Sequence, residues 1–212
     1  MATCMGVDRV ETGRRRLGIL GGTFDPIHHG HLIMASELRA GLSLDRVVLV
    51  PNAQSPFKPG ESISSGVHRK AMLDLVVAET SWLELSTVEL HRGGVSYTVE
   101  TLRALRRAHA PDTLVFLMGA DSLIDLHRWR EPAEIVRLAE IGVASRPGTA
   151  VDIDAVTDQL PQARGRITVV PTPLIAISAT DIRYRVRTAR PITFHVPPAV
   201  ERYIRAHRLY LD

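Results

Sequence analysis

A chain of 212 residues, 45% of them apolar, can bury a sizeable core, which excludes wholesale disorder. Its net charge of +3 suits small acidic substrates and is too weak for a nucleic-acid footprint. No apolar run approaches the roughly 20 residues that span a bilayer, and the single cysteine, Cys4, excludes an intrachain disulfide and a cysteine-based zinc site. With no signal-peptide pattern at the start, the cytoplasm is the expected compartment, without membrane or nucleic-acid partners.

Residues 1–16 carry the run Gly13-Arg14-Arg15-Arg16 and read as a flexible basic arm. Residues 17–212 read as one domain, with no internal repeat or linker. Leu17, Ile19 and Leu20 form a short apolar strand, followed by the glycine turn Gly21-Gly22. Helical apolar spacing begins at about His31 and runs to Ala40. A strand passing through glycines into a helix start is an anion site, because free N–H groups and the helix dipole both favour phosphate. His28 and His31, three apart across Gly30, would present both imidazoles on one side as donors to phosphate oxygens. The spacing matches neither the dinucleotide fingerprint nor the P-loop. Nor does His28-x-x-His31 have companion ligands for a metal, so no metal held by protein side chains is expected.

Arg46 to Val50 is the continuous apolar run of a covered parallel strand. A polar loop spans 51–66, and a helix covers 66–79 with Met72, Leu73, Val76 and Val77 inward. Trp82 to Leu90 reads as a strand or extended segment, His91 to Gly94 as a turn, and Thr98 as the N-cap of a helix ending at Ala108. Thr113–Met118, Ile141–Ala144 and Ile167–Val170 are further core strands. Between and after them lie helices over 120–129, 131–139 and 152–160, one from Ser178, and a last one over 197–209. Ser178 with Asp181 three residues on makes a capping box; Ser178, Thr180 and the first N–H groups would face a polyphosphate, with Arg183 one turn further along. The alternation predicts an α/β, Rossmann-like parallel sheet with helices on both faces and a C-terminal helical segment. Ligands in such sheets lie beyond the carboxyl ends of the strands. Gly21 to His31, Asn52, Lys58, Gly119, Asp121 and Arg146 all fall there.

The stretch Gly21-Gly-Thr-Phe-Asp-Pro-Ile-His-His-Gly-His31 resembles the G-G-T-F-D-P-x-H-x-G-H motif of the nucleotidyltransferase superfamily. Within it, the sequence is most similar to the bacterial nicotinate-mononucleotide adenylyltransferases. Ile177-Ser-Ala-Thr-Asp-Ile-Arg183 resembles that family's I-S-S-T-x-I-R motif, with Ala179 in place of the second serine. Pro51-Asn-Ala-Gln-Ser-Pro-Phe-Lys58 resembles its P-x-x-x-P-P-H-K loop, with Ser55 for proline and Phe57 for histidine. Gly94-Val-Ser-Tyr-Thr98 and Gly119-Ala-Asp-Ser-Leu-x-x-Leu-x-x-Trp129 resemble its acceptor segments.

The resemblance implies transfer of AMP from ATP, with Mg²⁺ bound alongside, to nicotinate mononucleotide, giving nicotinate-adenine dinucleotide and pyrophosphate in NAD biosynthesis. It implies catalytic roles for His28, His31, Lys58 and Arg183. ATP would be held by Gly21, Gly22, Thr23, Phe24, Gly119, Asp121, Arg146, Ser178 and Thr180, and the acceptor by Asn52, Tyr97, Thr98 and Trp129. Other acceptors (nicotinamide mononucleotide or phosphopantetheine), a CTP donor, and a non-catalytic ATP-binding regulatory module stay open at this point. The chain's length and two acceptor segments favour a pyridine nucleotide, and assembly as a homo-oligomer is compatible with all of them.

Overall fold

The computed structural model describes residues 14–55, 63–146 and 151–211. Strand β1 (Arg16–Gly22) leads through a loop into α1 (His29–Gly41), then β2 (Arg46–Pro51), α2 (Gly66–Ala78) and β3 (Leu83–Leu85). Helices α3 (Val88–Arg92) and α4 (Thr98–Ala108) precede β4 (Thr113–Gly119), and α5 (Ala120–Ile124) and α6 (Pro132–Leu138) precede β5 (Glu140–Ser145). Helix α7 (Ile153–Gln159), β6 (Ile167–Pro171), α8 (Ala179–Arg187) and α9 (Pro198–Ala206) complete the order. The strands form one six-stranded sheet in the order β3-β2-β1-β4-β5-β6, every pair parallel.

Successive side chains of β1 divide between two cores, as the period of a strand requires. Leu17 and Ile19 join Val48, Phe116 and the inward faces of α4 and α6. Leu20 joins Val47, Leu49 and Leu117 under α1, α2, α8 and α9. Gly18 is the tight point: a Cβ there would stand 2.7 Å from the Leu44 side chain and 2.9 Å from that of Leu117. Since β2 and β4 both pair with β1, the chain reverses direction across the sheet between β1 and β4. That reversal opens a crevice at the carboxyl ends of these strands.

The structure departs from the sequence reading where local signals conflict. The extended segment expected over 82–90 is a strand only at Leu83–Leu85, because this edge strand pairs with β2 only over Val47–Leu49. Val88–Arg92 is helical instead, with Glu89 in its first turn and His91 and Arg92 in its last, the arrangement a helix dipole favours. Tyr97, not Thr98, is the N-cap of α4, and Thr98 is its first residue. The helix expected over 120–129 ends at Ile124 and is followed by a 3₁₀ turn at Leu126–Arg128, so that Trp129 leaves in an extended conformation. Strand β1 begins at Arg16, within the expected arm, and Arg15 is pinned to Asp112 by a 2.8 Å ion pair. Residues 1–13, Cys4 among them, lie outside the described residues.

Candidate active site

The loop Gly22 to His28 is held from below. Phe24 is 1% exposed and takes φ 50, and its ring packs under Gly22 and meets the His31 ring edge-on at 5.0 Å. His28 then caps α1 with extended backbone, φ −146 and ψ 168. Its imidazole folds back onto the helix start and stacks on His31 at 3.7 Å. Gly30 permits this, since a Cβ there would stand 3.0 Å from His28 Nδ1. The glycine of the H-x-G-H motif thus leaves room for the folded-back imidazole, which a Cβ would crowd.

Burial, reinforced by neighbouring His29, lowers the His28 pKa to about 4. Burial, reinforced by His28, holds His31 well below its ordinary value. Both rings are therefore neutral near pH 7. The His28 main-chain N–H donates to His31 Nδ1 at 3.4 Å, which leaves the His31 proton on Nε2 as a donor. Nδ1 of His28 is buried and has no hydrogen-bond partner among the described residues.

The second helix start comes up against the first. Ser178 Oγ caps α8 by accepting from the Asp181 N–H at 3.1 Å, so the capping role read from the sequence is present. The Ile177 carbonyl lies 3.4 Å from where a Cβ on Gly30 would be. Arg183 of α8 donates through Nη1 to the Asp25 carbonyl at 2.7 Å, three residues before His28. The two motifs share one end of the sheet.

Two cavities open at the carboxyl end of the sheet. One, of about 220 Å³, has His28, His31, Gly119, Asp121, Arg146 and Ile177 in its walls. The other, of about 440 Å³, has apolar walls that include Ile19, Leu102, Phe116 and Trp129. Trp129 stands edge-on to Phe116 with ring centres 6.0 Å apart. Tyr97, Thr98 and Asn52 line the same larger space, and Arg130 lies over the Tyr97 ring at 4.5 Å. All four residues expected on the acceptor therefore converge.

Those expected on ATP divide. Gly119, Asp121 and Arg146 are in the histidine cavity. Gly21, Gly22 and Thr23 instead line the larger one, because the end of β1 forms its floor. Phe24 is packed beneath the loop and lines neither. Ser178, Thr180 and Arg183 stand outside both walls, tied to the site through Ile177 and Asp25. Lys58 lies outside the described residues. Among the described residues no group of three or more His, Cys, Asp or Glu side chains could hold a metal ion.

Two supporting residues escaped the sequence reading. Arg69, 1% exposed, donates to the carbonyls of Thr23 at 2.9 Å and Ser64 at 3.0 Å and reaches Asn52 Oδ1 at 3.5 Å. A signal existed: residue 69 precedes Met72, Leu73 and Val76 at inward helical spacing, so an arginine there had to be buried. Glu89, also buried, lines the larger cavity and accepts a hydrogen bond from the Thr101 hydroxyl.

Residues 19–185 match the family model described as cytidylyltransferase-like. A probable nicotinate-nucleotide adenylyltransferase of Thermomicrobium roseum is 50% identical over 195 residues, covering 92% of this chain and 91% of that protein. One of Roseiflexus sp. is 45% identical over 194 residues, covering 92% and 97%. The nicotinic acid mononucleotide adenylyltransferase of Plasmodium falciparum, solved in complex with NaAD, superposes with a TM-score of 0.75 at 20% identity, covering 93% and 98%. At that identity the likeness is one of fold.

Proposed function

We infer that this chain, which belongs to the cytidylyltransferase-like family and within it to the nicotinate-nucleotide adenylyltransferases, transfers AMP from ATP to nicotinate mononucleotide. The products are nicotinate-adenine dinucleotide and pyrophosphate, a step of NAD biosynthesis. The observation that best supports this reading is the pair of unlike cavities at the carboxyl end of one sheet, one carrying paired imidazoles and the other a tryptophan-walled slot.

The acceptor phosphate is already a nucleophile, so the reaction needs alignment and charge stabilisation rather than a general base. His31 offers a neutral Nε2–H to the phosphate oxygens, and His28 supplies a second imidazole beside it. Arg146 and Asp121 face the nucleoside end of ATP, and Gly119 lets it approach closely, since nothing lies within 4 Å of a Cβ built there. Ser178, Thr180 and Arg183 serve the β- and γ-phosphates, with Lys58 assisting. Trp129 stacks on the pyridine ring, with Asn52, Tyr97 and Thr98 around it. Gly21, Gly22 and Thr23 line the acceptor side, where its phosphate would meet the α-phosphate of ATP.

Nucleotidyltransferases that use ATP generally take it with a divalent cation. We assign Mg²⁺ as part of the ATP substrate, held by phosphate oxygens and water. No helix of the described residues is long and apolar enough to cross a membrane, and we place the reaction in the cytoplasm, where a lone cysteine stays reduced. The test is pyrophosphate release from MgATP with a panel of acceptors. Release with nicotinate mononucleotide well above that with nicotinamide mononucleotide is expected, and none with phosphopantetheine. No release with any acceptor would leave an ATP-binding module without catalysis.

A further inference from the structure

The last turn of the chain reaches the loop that precedes the histidines. The Tyr210 hydroxyl donates to Asp25 Oδ1 at 2.7 Å. Asp25 is 1% exposed, and its other carboxylate oxygen accepts from the Ser64 N–H at 2.9 Å. Its main-chain carbonyl is the acceptor for Arg183. One buried residue therefore takes the C-terminal segment on its side chain and α8 on its backbone.

This contact belongs to the fold. Leu209 and Tyr210 pack against the core beneath α1, and the Leu209 N–H donates to the Ile204 carbonyl at 3.0 Å. Tyr210 sits at φ 64, a left-handed conformation that a bulky residue holds only where its surroundings over-determine it. Burial and the Asp25 charge push the phenol up from its ordinary range, so it remains a donor at working pH. Among the described residues, the Arg183 guanidinium also reaches Thr180 Oγ1 at 3.5 Å, too long to orient it by itself. Among the described residues the Asp25 carbonyl is the anchor, and the Tyr210 hydroxyl, together with the Ser64 N–H, fixes Asp25 through its carboxylate.

We propose that Tyr210 is a positioning residue for adenylyl transfer: by fixing Asp25 it fixes the carbonyl that orients Arg183, and so the direction in which Arg183 offers its remaining N–H groups to the ATP phosphates. The proposal rests on the reading of Arg183 as a phosphate ligand. Removing the phenol oxygen leaves a buried carboxylate short of a donor. Asp25 then relaxes, and its carbonyl moves with it. Small misplacements of this kind act on turnover more than on the binding of a remote acceptor.

The experiment is a double-mutant cycle on the full chain, with Y210F, R183K and the double variant assayed by pyrophosphate release below their unfolding midpoints. Y210F is expected to lower kcat about tenfold and leave the acceptor KM within about twofold. In the R183K background the same change is expected to cost less than about twofold, since the group it positions is gone. Costs that multiply, or a Y210F kcat equal to that of the parent, would overturn the proposal while the parent enzyme remains active. A parent chain that releases no pyrophosphate would remove the premise, and the proposal with it.

Discussion

The two cavities at the end of the sheet are made of opposite materials. The larger is walled by side chains from the α4 and α6 core, with Trp129 as its most distinctive wall, and is proposed to take a flat ring. The smaller carries His28, His31, Asp121 and Arg146 and handles charge. They lie at the same carboxyl end of the sheet, the larger beyond β1 and β2 and the smaller beyond β4 and β5. Gly21-Gly22, a strand end with almost no side chains, lines the larger one. The proposed division of recognition from transfer between two cavities of different chemistry makes each breakable alone.

The largest effect is expected on the charged side. His31→Ala should lower turnover by ~10²-fold or more, with a smaller change in the KM for ATP, as for loss of a donor used mainly in the transition state. Near-normal turnover would remove His31 from the chemistry. Next come the glycines. A Cβ meets nothing within 4 Å at Gly21 or Gly119, so alanine at either should leave the unfolding midpoint nearly unchanged. Gly119→Ala should raise the KM for ATP by about 10-fold or more, and Gly21→Ala that for the acceptor, because one misplaced methyl in a fitted pocket costs that much. Gly18→Ala should do the reverse, destabilising the fold through Leu44 and Leu117 and sparing both constants. Equal effects of the Gly21 and Gly119 variants on both substrates would mean that the cavities are one site.

Trp129→Ala should raise the acceptor KM by about 10-fold and leave that for ATP alone, since stacking and burial of one ring face are lost. The smallest expected effect is on stability against pH, and it has opposite signs on the two sides. His28 in the unfolded chain binds its proton near 6.5, and in the folded chain only near 4. Its contribution is therefore complete above 6.5 and declines as pH falls through that window. Between pH 6.5 and about 5.5 this lowers stability by about 1 kcal/mol, a few degrees of unfolding midpoint. His28→Gln should flatten this dependence. Burial raises the pKa of Glu89, so its contribution is complete below its ordinary 4.5 and declines as pH rises through its folded value. Glu89→Gln should therefore gain stability, relative to the parent, as pH rises above 4.5. Parallel slopes for the two variants would contradict the opposed environments.

The charged side was the more legible in the sequence. Its residues sit on two helix starts whose capping and glycine signals are local, so His28, Gly30, His31 and Ser178 could be placed from spacing alone. The sheet was legible for the same reason, each covered strand being a short apolar run. Helix α3 was not, because Val88-Glu-Leu-His-Arg92 continues an alternating pattern and its end is set by Gly93 at φ 68. Nor was the side of β1 that Thr23 faces, which depends on the Asn52 amide donating to its hydroxyl at 3.2 Å from the next strand's loop. Arg69 and Tyr210 are long-range partners of Thr23 and Asp25, and no neighbouring residue announces either contact.

A structure of the enzyme with nicotinate-adenine dinucleotide bound tests the division of labour most directly. The adenylyl half is expected in the cavity of His28, Arg146 and Gly119, with the pyridine ring against Trp129 and the two phosphates over Gly21-Gly22. A dinucleotide lying with its halves exchanged, or wholly in one of the two cavities, would contradict the account.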